Sequence, residues 1–151
     1  METASFSNIP KRISNVRHLI NEYLVSEMEK LGMKNVVPSH GDILFTLFKH
    51  KEMTLKDLAE KIRRDKSTVT ALIKKLEKIG YISLKVNEDD KRSRFICLTK
   101  KGKSLEKPFR DISMNMTKIL LKDMEETDKA VLSDLLDKME KNFVNELYKE
   151  V

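Results

Sequence analysis

Apolar residues recur at three- and four-residue steps over most of this chain. Ile9, Ile13, Val16, Ile20, Tyr23, Leu24, Met28 and Leu31 form one stripe on a long amphipathic helix that stops near Gly32. Pro38 and Ser39, with Asp42 three residues on, predict a capped second helix carrying Ile43, Leu44, Leu47 and Phe48. Thr54 and Asp57 repeat that start signal for a short third helix with Leu55, Leu58, Ala59 and Ile62 facing inward. Only Arg63, Arg64 and Asp65 separate it from a fourth, whose buried stripe is Val69, Leu72, Ile73 and Leu76 and whose stop is Gly80.

From Tyr81 the period changes to two. Ile82, Leu84 and Val86 alternate with Ser83 and Lys85, a polar stretch covers Asn87 to Ser93, and a second strand follows in Phe95 to Leu98. The pattern predicts a hairpin with a long charged tip. Thr99 then caps a helix entering through Lys100 to Leu105 and continuing with Phe109, Ile112, Met116, Ile119 and Leu120, with Pro108 in its first turns or bending it. Thr127 starts the last helix, with a stripe of Leu132, Leu135, Met139, Phe143 and Leu147. The expected class is mainly α with a small β-hairpin: a helix-turn-helix followed by a wing, flanked by long helices.

Composition narrows the function classes. At 151 residues the chain is long enough for one core, since folding at this size buries roughly 68–70% of the unfolded surface. The single cysteine, Cys97, excludes an internal disulfide and a cysteine-based zinc cage, which suits a reduced, cytoplasmic protein. No apolar run reaches the roughly 18 residues of a membrane span, and Met1 to Pro10 is polar, so no membrane is expected. There is no nucleotide-binding glycine loop, no nucleophile motif and no metal-ligand spacing among His18, His40 and His50; neither enzyme activity nor a cofactor or metal is expected.

Charge localises the interesting surface. Residues 51–103 hold sixteen Lys and Arg against eight Asp and Glu, whereas residues 1–50 hold six against five and residues 104–151 eight against eleven. A basic excess confined to one third points that third at a polyanion. In a helix-turn-helix the second helix enters the DNA major groove and its neighbour braces on the backbone. Opposite the apolar stripe of the fourth helix stand Lys66, Ser67, Thr68, Thr70, Ala71, Lys74, Lys75 and Lys78. The hydroxyls suit base edges or phosphates and the lysines suit phosphates, although Ser67 and Thr68 also fit as helix caps and the lysines as a solvated face. In the wing, Asp90 stands two residues before Arg92, beside Lys91; a carboxylate there can hold and aim the guanidinium into a narrow minor groove.

Three linked segments resemble the signature of the MarR (multiple antibiotic resistance regulator) family. They are Thr68-Val-Thr-Ala-Leu-Ile-Lys-Lys-Leu-Glu-Lys-Ile-Gly80, the wing Asp90-Lys-Arg-Ser, and Leu98-Thr-Lys-Lys-Gly102. The resemblance spans nearly the whole chain as one domain, 1–151, with a winged lobe at about 38–103 and dimerisation helices at about 6–34 and 104–151. It implies a homodimeric regulator, a repressor or an activator, that binds double-stranded DNA at a pseudo-palindromic operator and is released by a small aromatic or phenolic ligand or by oxidation. It places a ligand pocket near Arg17, His18 and His40. Redox-sensing relatives carry their cysteine near the N-terminus; Cys97 is not there, so no thiol switch is expected. Four positions depart from the usual pattern: Ala71 replaces an Arg, Lys74 an acidic or amide residue, Glu88 a Pro, and Lys91 the first Arg of Asp-Arg-Arg. These departures bear on operator sequence.

The terminal helices carry apolar stripes longer than one neighbour can cover. Ile9, Ile13, Val16, Leu132, Leu136, Met139, Phe143 and Leu147 are the candidate dimer contacts, each equally able to sit in the intramolecular core. A two-fold dimer sets its recognition helices about 34 Å apart, one turn of B-DNA. The competing reading from these residues is a winged-helix module that binds protein or nucleic acid without sequence preference.

Overall fold

The computed structural model describes residue 6 and residues 8–148. The remaining residues, at the outer ends of the polar N-terminal stretch and of the last expected helix, lie outside it. In chain order the elements are α1 (Ile9–Lys30), α2 (Pro38–Lys49), β1 (Glu52–Thr54), α3 (Leu55–Ile62), α4 (Lys66–Lys78), β2 (Ile82–Val86), β3 (Arg94–Leu98), α5 (Lys100–Lys103), α6 (Glu106–Leu120) and α7 (Glu126–Leu147). A boundary between Met114 and Asn115, within α6, divides the chain into two compact units.

The core of the first unit is built from the predicted stripes. Ile43, Leu44 and Leu47 of α2, Leu58 of α3, Val69 and Leu76 of α4, Ile96 of β3 and Phe109 of α6 are almost entirely out of solvent. Phe45, Phe48 and Phe109 pack as an aromatic trio with ring centroids 5.5–6.0 Å apart, which fastens the start of α6 to α2. α1 ends as its glycine predicts: Gly32 adopts φ +85°, and Met33 and Gly32 donate back to the carbonyls of Met28 and Glu29.

The expected two-stranded hairpin is a three-stranded antiparallel sheet of order β1-β3-β2. β1 pairs Glu52 with Cys97, Met53 with Ile96 and Thr54 with Phe95, occupying the edge of β3 that β2 leaves open. At three residues, β1 is too short for its alternation to betray it. The second helix is not capped by Ser39 and Asp42. It begins at Pro38, so Ser39 already lies inside it, and the His40 ring Nδ1 instead accepts the main-chain N–H of Val37 at 2.9 Å.

The helix expected to run on from Thr99 is interrupted. α5 closes at Lys103, and α6 restarts with Pro108 as its third residue, where the first turn asks no N–H of it. α7 starts at Glu126 rather than at Thr127, with Asp128 accepting the N–H of Glu125 at 3.1 Å. No residue described in α7 is buried; Phe143 and Leu147 are each 69% exposed. Among the described residues no helix is long and apolar enough to cross a membrane.

Candidate nucleic-acid interface

The short link between α3 and α4 is shaped at both ends. Arg63 takes the left-handed conformation (φ 53°) that closes α3, and Asp65 turns the chain into α4 as its N-cap. The Asp65 carboxylate accepts the Thr68 N–H at 2.9 Å, and both neighbouring hydroxyls, Ser67 Oγ and Thr68 Oγ1, donate to it at 2.6 Å. Led by the Ser67 hydroxyl, these donors hold the Asp65 carboxyl well below the usual carboxylate range. One helical turn on, Thr70 Oγ1 donates to the carbonyl of Lys66 at 2.7 Å. Val69, Leu72, Ile73 and Leu76 are buried, whereas Lys66, Ser67, Thr68, Ala71, Lys74 and Lys78 are exposed and Lys75 and Thr70 are half-buried.

The far end of α4 is held by the segment after the sheet. Gly80 at φ +85° closes the helix, with Tyr81 donating to the carbonyl of Leu76 and Gly80 to that of Glu77. Thr99 then bridges two elements: its hydroxyl donates to the Gly80 carbonyl at 2.6 Å and accepts the Gly102 N–H at 3.0 Å. Lys101 Nζ donates to the Ile79 carbonyl at 2.8 Å and lies 4.7 Å from the centre of the Tyr81 ring. The Leu98-Thr-Lys-Lys-Gly102 motif thus locks the C-terminus of α4 against the sheet.

The wing tip is ordered by a residue the sequence reading passed over. Asn87, only 9% exposed, accepts the N–H groups of Asp89 and Asp90 on its side-chain oxygen at 3.0 and 3.3 Å and donates from Nδ2 to Ser93 Oγ at 2.9 Å. An Asn at a strand end is an ordinary turn signal, and that was the available clue. The role expected of Asp90 is corrected. Its Oδ1 accepts the main-chain N–H of Arg92 at 3.0 Å, and the guanidinium takes no part in this bond. A carboxylate two residues ahead reaches the backbone first in a tight turn; Asp90 therefore sets the course of the chain at Arg92 and leaves the side chain free to extend.

Between α4 and the wing lies a groove of about 720 Å³. Lys66, Thr70 and Lys74 line it from the helix and Asp90, Arg92 and Arg94 from the wing, over a floor that includes Ile73, Leu84 and Ile96. Five of the nine expected DNA-contacting residues, Lys66, Thr70, Lys74, Asp90 and Arg92, thus meet around one groove. Ser67, Thr68, Lys75 and Lys91 do not line it; Ser67 and Thr68 sit at the exposed head of the same helix and Lys91 at the exposed wing tip.

The family model described as "MarR family" matches residues 38–93, the segment that contains α2 to α4, β2 and the wing tip. Over 108 residues the chain is 34% identical to the HTH-type transcriptional regulator SarZ of Staphylococcus saprophyticus, covering 72% of this chain and 70% of that protein. The chain belongs to the MarR family of transcriptional regulators. Its fold is that of MarR-family structures. A MarR protein from Peptoclostridium difficile superposes with a TM-score of 0.83 at 25% identity, over 94% of this chain and 91% of that one. The Staphylococcus aureus MepR–DNA complex gives 0.81 at 24% identity, over 89% and 97%.

In this MarR-family chain the expected dimer contacts fall on α1 and α7. Of the expected dimer contacts, Ile13, Val16, Leu136, Phe143 and Leu147 are exposed and Ile9, Leu132 and Met139 half-buried. Leu19 of α1 and Val131, Leu135 and Val144 of α7 are also exposed. Arg17 and His18 lie exposed on α1, whereas His40 is buried with its Nε2 unpartnered. Burial, with Lys75 nearby, pulls the His40 pKa below its ordinary value. Cys97 is buried, its Sγ 3.7 Å from Glu52 Oε2, and burial pushes its thiol up. Among the described residues no cluster of three His, Cys, Asp or Glu is arranged to hold a metal.

Proposed function

We propose that this chain is a cytoplasmic, homodimeric repressor that recognises an inverted-repeat operator in double-stranded DNA. In this reading the chain is one functional domain with no catalytic role. α4 enters the major groove with Ser67, Thr68 and Thr70 toward base edges, Lys66, Lys74 and Lys75 contact phosphates, and Asp90, Lys91 and Arg92 carry the wing to the adjacent minor groove. The observation that carries the reading is the groove between α4 and the wing, which gathers basic side chains from both elements within the one basic third of the sequence. The MepR–DNA complex, of like fold, is named as bound to DNA, which supports the same assignment.

Dimerisation is assigned to Ile9, Ile13, Val16, Leu132, Leu136, Met139, Phe143 and Leu147. The support is an α7 with no buried residue among those described, an apolar surface that water disfavours. Release by a small aromatic or phenolic ligand follows the family resemblance. The deciding experiment measures the affinity of the purified protein for random DNA and for upstream DNA carrying an inverted repeat, at physiological salt. A regulator of this kind prefers its operator by about 10³-fold or more. Equal affinity for both would refute the assignment and leave a sequence-indifferent winged-helix module.

A further inference from the structure

The hydroxyls at the head of α4 have their hydrogens committed, and this restricts what they can read. An ionised carboxylate only accepts, so the bonds from Ser67 Oγ and Thr68 Oγ1 to Asp65, each 2.6 Å, fix both hydroxyls as donors toward the protein. The Thr70 hydroxyl is fixed in the same sense, since the Lys66 carbonyl it meets at 2.7 Å also only accepts. What each hydroxyl offers outward is lone pairs alone. A phosphate oxygen needs a donor, which these hydroxyls do not offer it, and the nearby Asp65 charge repels it as well. In the major groove adenine N6 and cytosine N4 present donors, whereas guanine O6 and N7 and thymine O4 present acceptors.

We infer that Asp65 is a specificity-positioning residue: it turns Ser67 and Thr68 into acceptors that select the exocyclic amino groups of adenine or cytosine and reject guanine and thymine carbonyls at the positions they face. Phosphate contact is left to the lysines of α4. This inference rests on the DNA-binding reading above and adds to it a chemical rule for two operator positions. A hydroxyl in an ordinary exposed setting rotates to donate or accept and would make no such choice.

The test uses the full-length protein and a library of randomised duplexes. Selections with wild type, Ser67→Ala and Thr68→Val identify the two operator positions whose preference each side chain controls. Wild type is expected to select adenine or cytosine there. Replacing that adenine by purine, or that cytosine by a 2-pyrimidinone lacking the amino group, is expected to weaken binding about three- to tenfold per position, as for one lost hydrogen bond. Asp65→Ser keeps a helix cap but cannot accept from both hydroxyls. It should broaden base preference at these two positions and shrink the amino-deletion effect, with helicity and dimerisation unchanged. The base-analogue arm needs no variant, so the rule remains testable if Asp65→Ser folds poorly. Selection of guanine or thymine carbonyls at those positions, or indifference to amino deletion, overturns the inference while leaving operator binding intact. Absence of any sequence preference overturns both.

Discussion

Gly102 lies where α5 presses on the backbone that follows α4, and the closeness of that approach sets the cost of adding one methyl group. A Cβ built on Gly102 lies 2.0 Å from the Tyr81 carbonyl oxygen, 3.0 Å from its carbon and 3.2 Å from Leu98 Cδ2. The oxygen is main chain, so no rotamer change relieves it; α5 or the turn at Tyr81 has to move by at least about 1 Å to restore a contact of 3.0 Å. That movement pulls on the Thr99 N–H bond to the Tyr81 carbonyl at 3.0 Å and on the Gly102 N–H bond to Thr99 Oγ1 at 3.0 Å. Overpacking at such a site costs roughly 1–3 kcal/mol and each weakened hydrogen bond about 1 kcal/mol, so Gly102→Ala should destabilise by about 2–5 kcal/mol. For a chain of this length that lowers Tm by roughly 5–15 °C. Gly32→Ala is the control: nothing lies within 4 Å of its Cβ, and the cost is that of a left-handed alanine at φ +85°, roughly 1–2 kcal/mol. Thermal unfolding followed by circular dichroism, at one protein concentration for all variants, gives both numbers. A Gly102→Ala Tm within about 2 °C of wild type, or a smaller loss than Gly32→Ala, would refute the proposed close approach.

Asn87→Ala removes the contacts that order the wing tip and should cost about 1–3 kcal/mol in stability. Operator affinity should fall further than that of a charge-neutral change elsewhere in the strand, because Arg92 is then less well placed; anisotropy titrations give the comparison. Phe143→Asp puts a charge on the proposed dimer surface at a residue 69% exposed in the single chain, and sedimentation should show the proposed dimer shifting to monomer; an unchanged dimer would remove Phe143 from the interface. His40 contributes a pH dependence. Its folded-state pKa is lowered from 6.5, chiefly by burial, so its contribution is complete above about 6.5 and is lost as pH falls through the lower folded value. Urea midpoints at pH 7.5 and 5.5 should therefore separate more for wild type than for His40→Asn, and equal separations would show that His40 does not titrate with folding.

Legibility in the sequence followed the range of the interaction. The stripe Val69, Leu72, Ile73 and Leu76 was readable because a buried helix face imposes its own period, and all four are buried. Gly32 and Gly80 marked helix ends because the left-handed turn there favours glycine. Contacts decided by a displacement of one residue were not readable: whether Ser39 or His40 serves the N-terminus of α2 depends on where Pro38 falls in the first turn. β1 was hidden because its pairing is dictated by the open edge of β3, some 40 residues away, and not by its own three residues. At the interface, residue types were legible and their bonding was not. Asp65 read as a link and proved to be the cap that engages both hydroxyls; Asp90 read as a partner for a guanidinium and proved to hold a backbone N–H.

Those two aspartates explain why a surface directed at a polyanion retains so much negative charge. Residues 51–103 contain eight acidic side chains, and several are bound to groups that fix the shape of the lobe. Asp57 receives the hydroxyl of Thr54, the N-cap of α3, at 2.8 Å, Asp65 caps α4, and Asp90 fixes the wing turn at Arg92. Glu52, on the edge strand, lies 3.8 Å from Lys85 and thereby ties β1 to β2 across β3. A helix N-terminus carries about half a positive charge, so a carboxylate placed there offsets a local field while the lysines, further along α4 and free of such bonds, keep theirs directed outward. Removing the acids would raise the net charge and strengthen non-specific attraction to DNA. It would also release the turns that aim α4 and the wing, so the formal excess of basic residues measures attraction and the placement of the acidic ones measures selectivity.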